Sequence, residues 1–239
     1  MKKIILLLPA AMLMIVSCHY MGGKRVRGNG VVSKEQRSVT GFTGVETHGS
    51  IDLVVSQGPY KIEVETDQNV LPYIETEVEN GRLMIRFKDG IWLQHYNEAR
   101  VYITAPTLHD FETHGSGNIS SQGKIADSSG MTTRISGSGD ISLEINAPKI
   151  NTETHGSGNT SLSGETKDLS TMISGSGNVK ATDLKAENVR VSVHGSGDTD
   201  VFAASSLDVT VSGSGDIRYK GNPKMSTEIH GSGSVKKID

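Results

Sequence analysis

The sequence predicts an all-β protein built as a parallel β-helix, and three observations carry that prediction. First, a phrase of the form His/Ser-Gly-Ser-Gly-Asn/Asp recurs at His114–Asn118, Ser136–Asp140, His155–Asn159, Ser174–Asn178, His194–Asp198, Ser212–Asp216 and, with a final Ser, His230–Ser234. Second, the steps between its first residues are 22, 19, 19, 20, 18 and 18, the self-similarity of a solenoid that stacks one unit many times. Third, short stretches of period-two alternation such as Val209-Thr210-Val211 flank each phrase. A second turn follows in every unit, at Asn146-Ala147-Pro148, Ser163-Gly164-Glu165, Asp183-Leu184-Lys185 or Gly221-Asn222-Pro223. Two changes of direction bring the chain back over its start, giving a coil of about 18–22 residues. Neighbouring coils then lie ~4.8 Å apart.

Composition agrees with a thin stack of small aliphatic side chains. Of 239 residues, 35% are hydrophobic and only 5% aromatic, while 28 are glycine. The formal net charge of −3 becomes −5 once Lys2 and Lys3 are removed with a leader, which argues against a nucleic-acid partner.

Residues 1–17 read as a lipoprotein signal peptide. Lys2-Lys3 supply the positive start, Ile4 to Val16 the short apolar stretch, and Ile15-Val16-Ser17-Cys18 matches the lipobox of bacterial lipoproteins. Cys18, the only cysteine, is therefore expected to carry lipid and to tether the protein to a membrane of the cell envelope, the outer membrane being the favoured one. No disulfide is then available. Residues 18–30 read as a flexible tether, glycine-rich and poor in apolar side chains.

From 31 to 110 the sequence predicts an elaborated β region that caps the solenoid. Ile51, Leu53 and Val55 alternate with polar neighbours, as do Ile62 and Val64, and Leu83, Ile85 and Phe87. Asn80-Gly81 is a hairpin signal between alternating runs. Glu46-Thr47-His48-Gly49-Ser50 also matches Glu112–Ser116 and Glu153–Ser157, so the array has a precursor 66 residues upstream. Residues 89–98 break the alternation and hold Trp92, His95 and Tyr96. These three are candidate ligand-binding residues on an aromatic loop; the competing reading folds Trp92 over the core as a plug.

From 111 to 239 the repeat forms the β-helix proper. Its corners are His114, Gly115, Gly117 and Asn118; His155, Gly156, Gly158 and Asn159; His194, Gly195, Gly197 and Asp198; and His230. Glycine suits a corner where backbone dihedrals are unusual and stacked turns leave no room for Cβ. Asn and Asp can bond corner backbone groups and form ladders. The first position alternates strictly between His and Ser. Coils of about nineteen residues place a small Ser between imidazoles, whereas coils of about 38 residues would stack the imidazoles directly. The shorter coil is preferred, because each unit already contains two turns.

The histidine column invites a metal reading, but imidazoles two strand spacings apart make only a ladder of incomplete sites, and no metal or other cofactor is expected. The glycine runs lack the Lys of a phosphate loop and the setting of a nucleophile elbow. Glu144, Glu153, Glu165 and Asp168 read as solvated charges, and no catalytic residues are assigned.

Arg37-Ser38-Val39-Thr40-Gly41-Phe42-Thr43-Gly44-Val45, Asn80–Ile85, the Val101–Pro106 strand and the repeated Ser-Gly-Ser-Gly-Asn/Asp resemble the head GIN domain family of auto-transporter adhesins. That family is also known as a domain of unknown function in Bacteroidetes-type lipoproteins. The resemblance spans roughly residues 36 to 235 and implies a right-handed β-helix with an adhesin-like role. The expectation is a non-catalytic adhesin or scaffold that binds a glycan or an envelope protein, with self-association through its terminal coils. The alternative is a β-helical polysaccharide-degrading enzyme of the pectinase type.

Overall fold

A computed structural model of the chain describes residues 23–239. The expected leader, Cys18 and the start of the tether lie outside them. Lys24–Arg27, within the expected tether, is strand β1. This corrects the tether reading: alternation in Lys-Arg-Val-Arg leaves Val26 buried and the three cations exposed, a strand pattern hidden by the glycines around it.

The chain then forms β2 (Val32–Arg37), β3 (Gly44–Gly49), β4 (Ile51–Gln57) and β5 (Lys61–Asp67), followed by one 3-10 turn at Leu71–Tyr73. Next come β6 (Ile74–Glu79), β7 (Arg82–Phe87), β8 (Ile91–Gln94) and β9 (Ala99–Ala105). The array contains β10 (Asp110–Gly115), β11 (Ile119–Ala126), β12 (Met131–Gly137), β13 (Ile141–Gly156), β14 (Thr160–Gly175), β15 (Val179–Gly195) and β16 (Thr199–Gly213). It closes with β17 (Ile217–Lys220), β18 (Lys224–Gly231) and β19 (Val235–Lys237).

The molecule is a β-solenoid of stacked parallel coils. Each rung is a strand that enters a Gly-Ser-Gly corner and a strand that leaves it. In the array, β13, β14, β15 and β16 run through the second turn while still paired in parallel to the next rung. His155 pairs with Ser174, and Ser174 with His194. The short coil is therefore the repeat, and the 38-residue coil is set aside.

The stacking order departs from the chain order at one end. β3 pairs with β10 on one side and β7 on the other; β4 likewise lies between β11 and β9. The rung formed later in the chain, β7 with β9, thus sits outside the earlier one, β3 with β4. Antiparallel strands finish this end, with β6 on β7, β5 on β9 and β2 on β5. The expected cap is this assembly: two further coils closed by antiparallel edges, which leave no parallel ladder open there.

Among the described residues, the opposite end has no such cover. All eight residues of β18 are exposed, including Met225 and Ile229, which pair with the buried Leu207 and Val211 of the preceding rung. Between the ends, the core includes aliphatic columns such as Met131, Ile150, Leu169, Val189 and Leu207, with Phe42 and Phe111 its largest wholly buried side chains. Burial at ~25 cal/mol per Å² and continuous pairing hold the rungs together.

Corner packing explains the glycines in atomic terms. Gly195 has φ +139°, and a Cβ there would lie 2.1 Å from the Gly175 carbonyl oxygen of the rung below. At Gly197 the corresponding distance to the Gly177 oxygen is 2.0 Å. The close approach lets Ser196 N–H donate to the Gly175 carbonyl at 2.9 Å, the bond that ties corner to corner.

Candidate functional site

Because strand residues alternate in direction, the first motif residue of every rung faces outward in one column. In register it reads His48, His114, Ser136, His155, Ser174, His194, Ser212, His230. Serine separates His114 from His155, His155 from His194 and His194 from His230, as the short coil requires. His48 and His114 have no spacer. Their rings stack with centroids 4.8 Å apart and planes 23° from parallel. This contact follows from the stacking order, which seats β3 directly on β10.

Two residues earlier on each strand a second outward column reads Glu46, Glu112, Arg134, Glu153, Met172. Glu46 and Glu112 are thus neighbours, and like charges at strand spacing repel. Arg82 relieves the repulsion: its Nη1 donates to Glu46 Oε2 at 3.0 Å and to Glu112 Oε2 at 2.9 Å, and its Nη2 to Asp110 Oδ2 at 2.6 Å. Arg134 extends the ladder to Glu112 Oε2 and Glu153 Oε2, each at 3.1 Å. Burial disfavours the charge on Glu46, but the bonds from Arg82 and His48 outweigh it and hold the carboxyl below the usual carboxylate range.

With both Oε2 atoms held by arginine, the Oε1 atoms turn to the histidines. Glu46 Oε1 lies 2.6 Å from His48 Nε2 and 3.5 Å from His114 Nε2, and Glu112 Oε1 lies 2.9 Å from His114 Nε2. The imidazoles remain about one-third exposed, with side-chain values of 39% and 34%, while the carboxylates beneath are mostly buried. The four carboxylates of this ladder face two guanidiniums, leaving two negative charges before any contribution from histidine.

The third corner column is the Asx ladder foreseen from sequence. Asp140 N–H donates to Asn118 Oδ1 at 2.9 Å, Asn159 N–H to Asp140 Oδ1 at 2.7 Å, and Asp198 N–H to Asn178 Oδ1 at 2.9 Å. Asp216 N–H donates to Asp198 Oδ1 and Ser234 N–H to Asp216 Oδ1, each at 2.9 Å, so both aspartates in succession accept from backbone.

Trp92, His95 and Tyr96 do not form one platform. β8 pairs in parallel with β1 as a small arm, with Trp92 opposite Arg25. Trp92 is 59% exposed, which rules out the core plug; its indole lies against Gly23, where a Cβ would come within 2.2 Å of Cδ1. Tyr96 turns the other way, edge-on to Phe87 at 5.7 Å and 3.0 Å from Ser50 Oγ. His95 is exposed at a φ of +47°. A further feature with no sequence signal is an open groove of about 570 Å³ along the second turns, where Lys185 Nζ sits 4.4 Å above the Phe202 ring.

The fold and these columns define a class: a β-solenoid displaying repeated polar corners, with its one irregular cluster at the junction of cap and array. More specifically, the chain belongs to the family described as "Putative auto-transporter adhesin, head GIN domain", whose model matches residues 41–223. Solved structures agree. A "putative lipid binding protein" from Parabacteroides distasonis is 26% identical with a TM-score of 0.75, covering 90% of this chain and all of that one. A "putative adhesin" from the same species is 27% identical with a TM-score of 0.70 over 90% of this chain and 100% of that one. A "putative adhesin" from Bacteroides fragilis has a TM-score of 0.83 at 22% identity over 89% of this chain and 100% of that one, a likeness of fold. No curated protein matches the chain.

Proposed function

We propose that this protein is a lipid-anchored, non-catalytic, adhesin-like solenoid that recognises a glycan or an envelope protein on its outer faces. The observation that carries the reading is the display of outward polar columns in constant register over successive rungs. Such a surface meets an extended partner at many equivalent points rather than enclosing a small substrate. Membership of an adhesin family agrees with it. The carboxylates of the irregular cluster are clamped by arginine, and Glu46 is held below its ordinary range, the reverse of what a general acid at neutral pH requires. This weighs against the pectinase alternative.

The anchor also orients the molecule. Five peptide steps separate Cys18 from Gly23, a reach of at most ~18 Å. With Cys18 acylated, the β1–β8 arm stands at the lipid surface. Its outer face carries Trp92, Arg25 and Arg27, residue types favoured at membrane interfaces and beside anionic headgroups. Trp92 is accordingly assigned to the membrane rather than to the partner, and one relative's name as a lipid binding protein fits that assignment. The uncapped end at β18 then points away from the bilayer, free to meet a partner or a second copy.

The test uses full-length protein in vesicles, probed against arrays of host and bacterial glycans and by crosslinking to envelope proteins in cells. Saturable binding lost on charge reversal of array-face residues supports the reading. Turnover of any polysaccharide, or unchanged cell adhesion and no crosslinked partner in a deletion–complementation pair, overturns it.

A further inference from the structure

We infer that the junction between cap and array is a divalent transition-metal site, ligated by His48 and His114 through Nε2 and by Glu46 through Oε1, with solvent as the fourth ligand. Sequence spacing argues against metal because serine separates successive histidines. That objection fails at this one register position, where the stacking order puts two histidines on adjoining strands.

The geometry supports the assignment on four counts. Ligand atoms of Glu46, His48 and His114 all lie within 4.8 Å of one another, and Glu112 Oε1, 2.9 Å from His114 Nε2, flanks that imidazole. Tetrahedral zinc, with bonds of ~2.0–2.1 Å, sets its ligands roughly 3.3–3.5 Å apart. The Glu46 Oε1–His114 Nε2 distance of 3.5 Å already has that spacing, the Glu46 Oε1–His48 Nε2 contact of 2.6 Å needs to open by less than about 1 Å, and the imidazoles are exposed enough to move. Second, the carboxylates are preset: Arg82 holds Oε2 of both, so each offers a single oxygen outward, the role outer-shell partners play at metal sites. Third, the surrounding ladder carries two uncompensated negative charges, which a divalent cation neutralises. Fourth, two imidazoles with one carboxylate form a borderline donor set suited to zinc rather than to calcium or magnesium, which take oxygen.

The stacked pair is also the only one of its kind in the column. His155 and His194 each lie between serines, and His230 has only Ser212 beside it, with Glu228 at 2.9 Å as its partner. These histidines therefore serve as internal controls within one chain.

The experiment is calorimetric titration of zinc into the full, tag-free chain in detergent, with cobalt(II) absorption as a second readout. One zinc per chain is expected, with cobalt bands of tetrahedral intensity. His48→Ser places at this register the residue the array itself uses between histidines, so it preserves folding; it should weaken zinc by roughly tenfold or more. His194→Ser should leave affinity unchanged. The inference is overturned by absence of saturable binding, by binding that survives His48→Ser, or by equal losses in the two variants. A melting temperature measured with and without zinc separates loss of a site from loss of fold: stabilisation by zinc should vanish in His48→Ser while the zinc-free value stays the same.

Discussion

One methyl group is enough to test the corner. Gly197 has an ordinary φ, so its glycine is required by proximity alone: a Cβ would sit 2.0 Å from the Gly177 carbonyl oxygen, a backbone atom that cannot swing away. Gly197→Ala should lower stability by about 3 kcal/mol or more, since the rung must separate or the corner must break. Gly123 provides the contrast, with a φ of +84° and nothing within 4 Å of its missing Cβ. Gly123→Ala should cost only the ~1–2 kcal/mol of a left-handed backbone. Thermal and urea denaturation of the two variants checks the order. The corner was readable in sequence because its causes are local and recur with each unit. The clamp by Arg82 was not, because Arg82 reaches Glu46 and Glu112 from a strand whose position depends on the whole cap. What sequence did offer was the shared Glu-Thr-His-Gly-Ser of residues 46–50 and 112–116, a likeness that marks equivalent rungs without saying that they touch.

At the scale of elements, the arm of β1 and β8 stands apart from the core. Its two strands pair with each other and not with the solenoid sheet, and only Val26 among the residues of β1 is buried. The sequence suggested a tether and a loop here because four-residue strands flanked by glycine give too few alternations to register. Parallel pairing between segments 67 residues apart, Lys24 with Ile91, is likewise invisible to any local pattern. With its indole in solvent, Trp92 contributes little to the fold. Trp92→Ala should shift stability by less than about 1 kcal/mol. The same variant should weaken sedimentation of the unacylated chain with anionic vesicles. A large fall in melting temperature with unchanged vesicle binding would return Trp92 to a structural role.

For the whole molecule, the order of rungs carries a consequence for how the array came to be spaced as it is. Along the array the column keeps a strict two-beat phase, histidine then serine, so the natural building block is a pair of coils rather than one. The β3 rung joins that sequence half a period out of step, and the meeting of His48 with His114 is the phase slip. Phase can be shifted deliberately. Excising residues 156–174 removes a single coil and brings His155 against His194, with Glu153 two positions away on the same strand. Excising residues 156–194 removes a full pair and leaves His155 against Ser212. Both shortened chains should fold, because each rung touches only its neighbours. Only the first should gain a second zinc in the same titration. A protein of this kind would acquire or lose metal sites by miscounting its own repeats, with no substitution at any ligand.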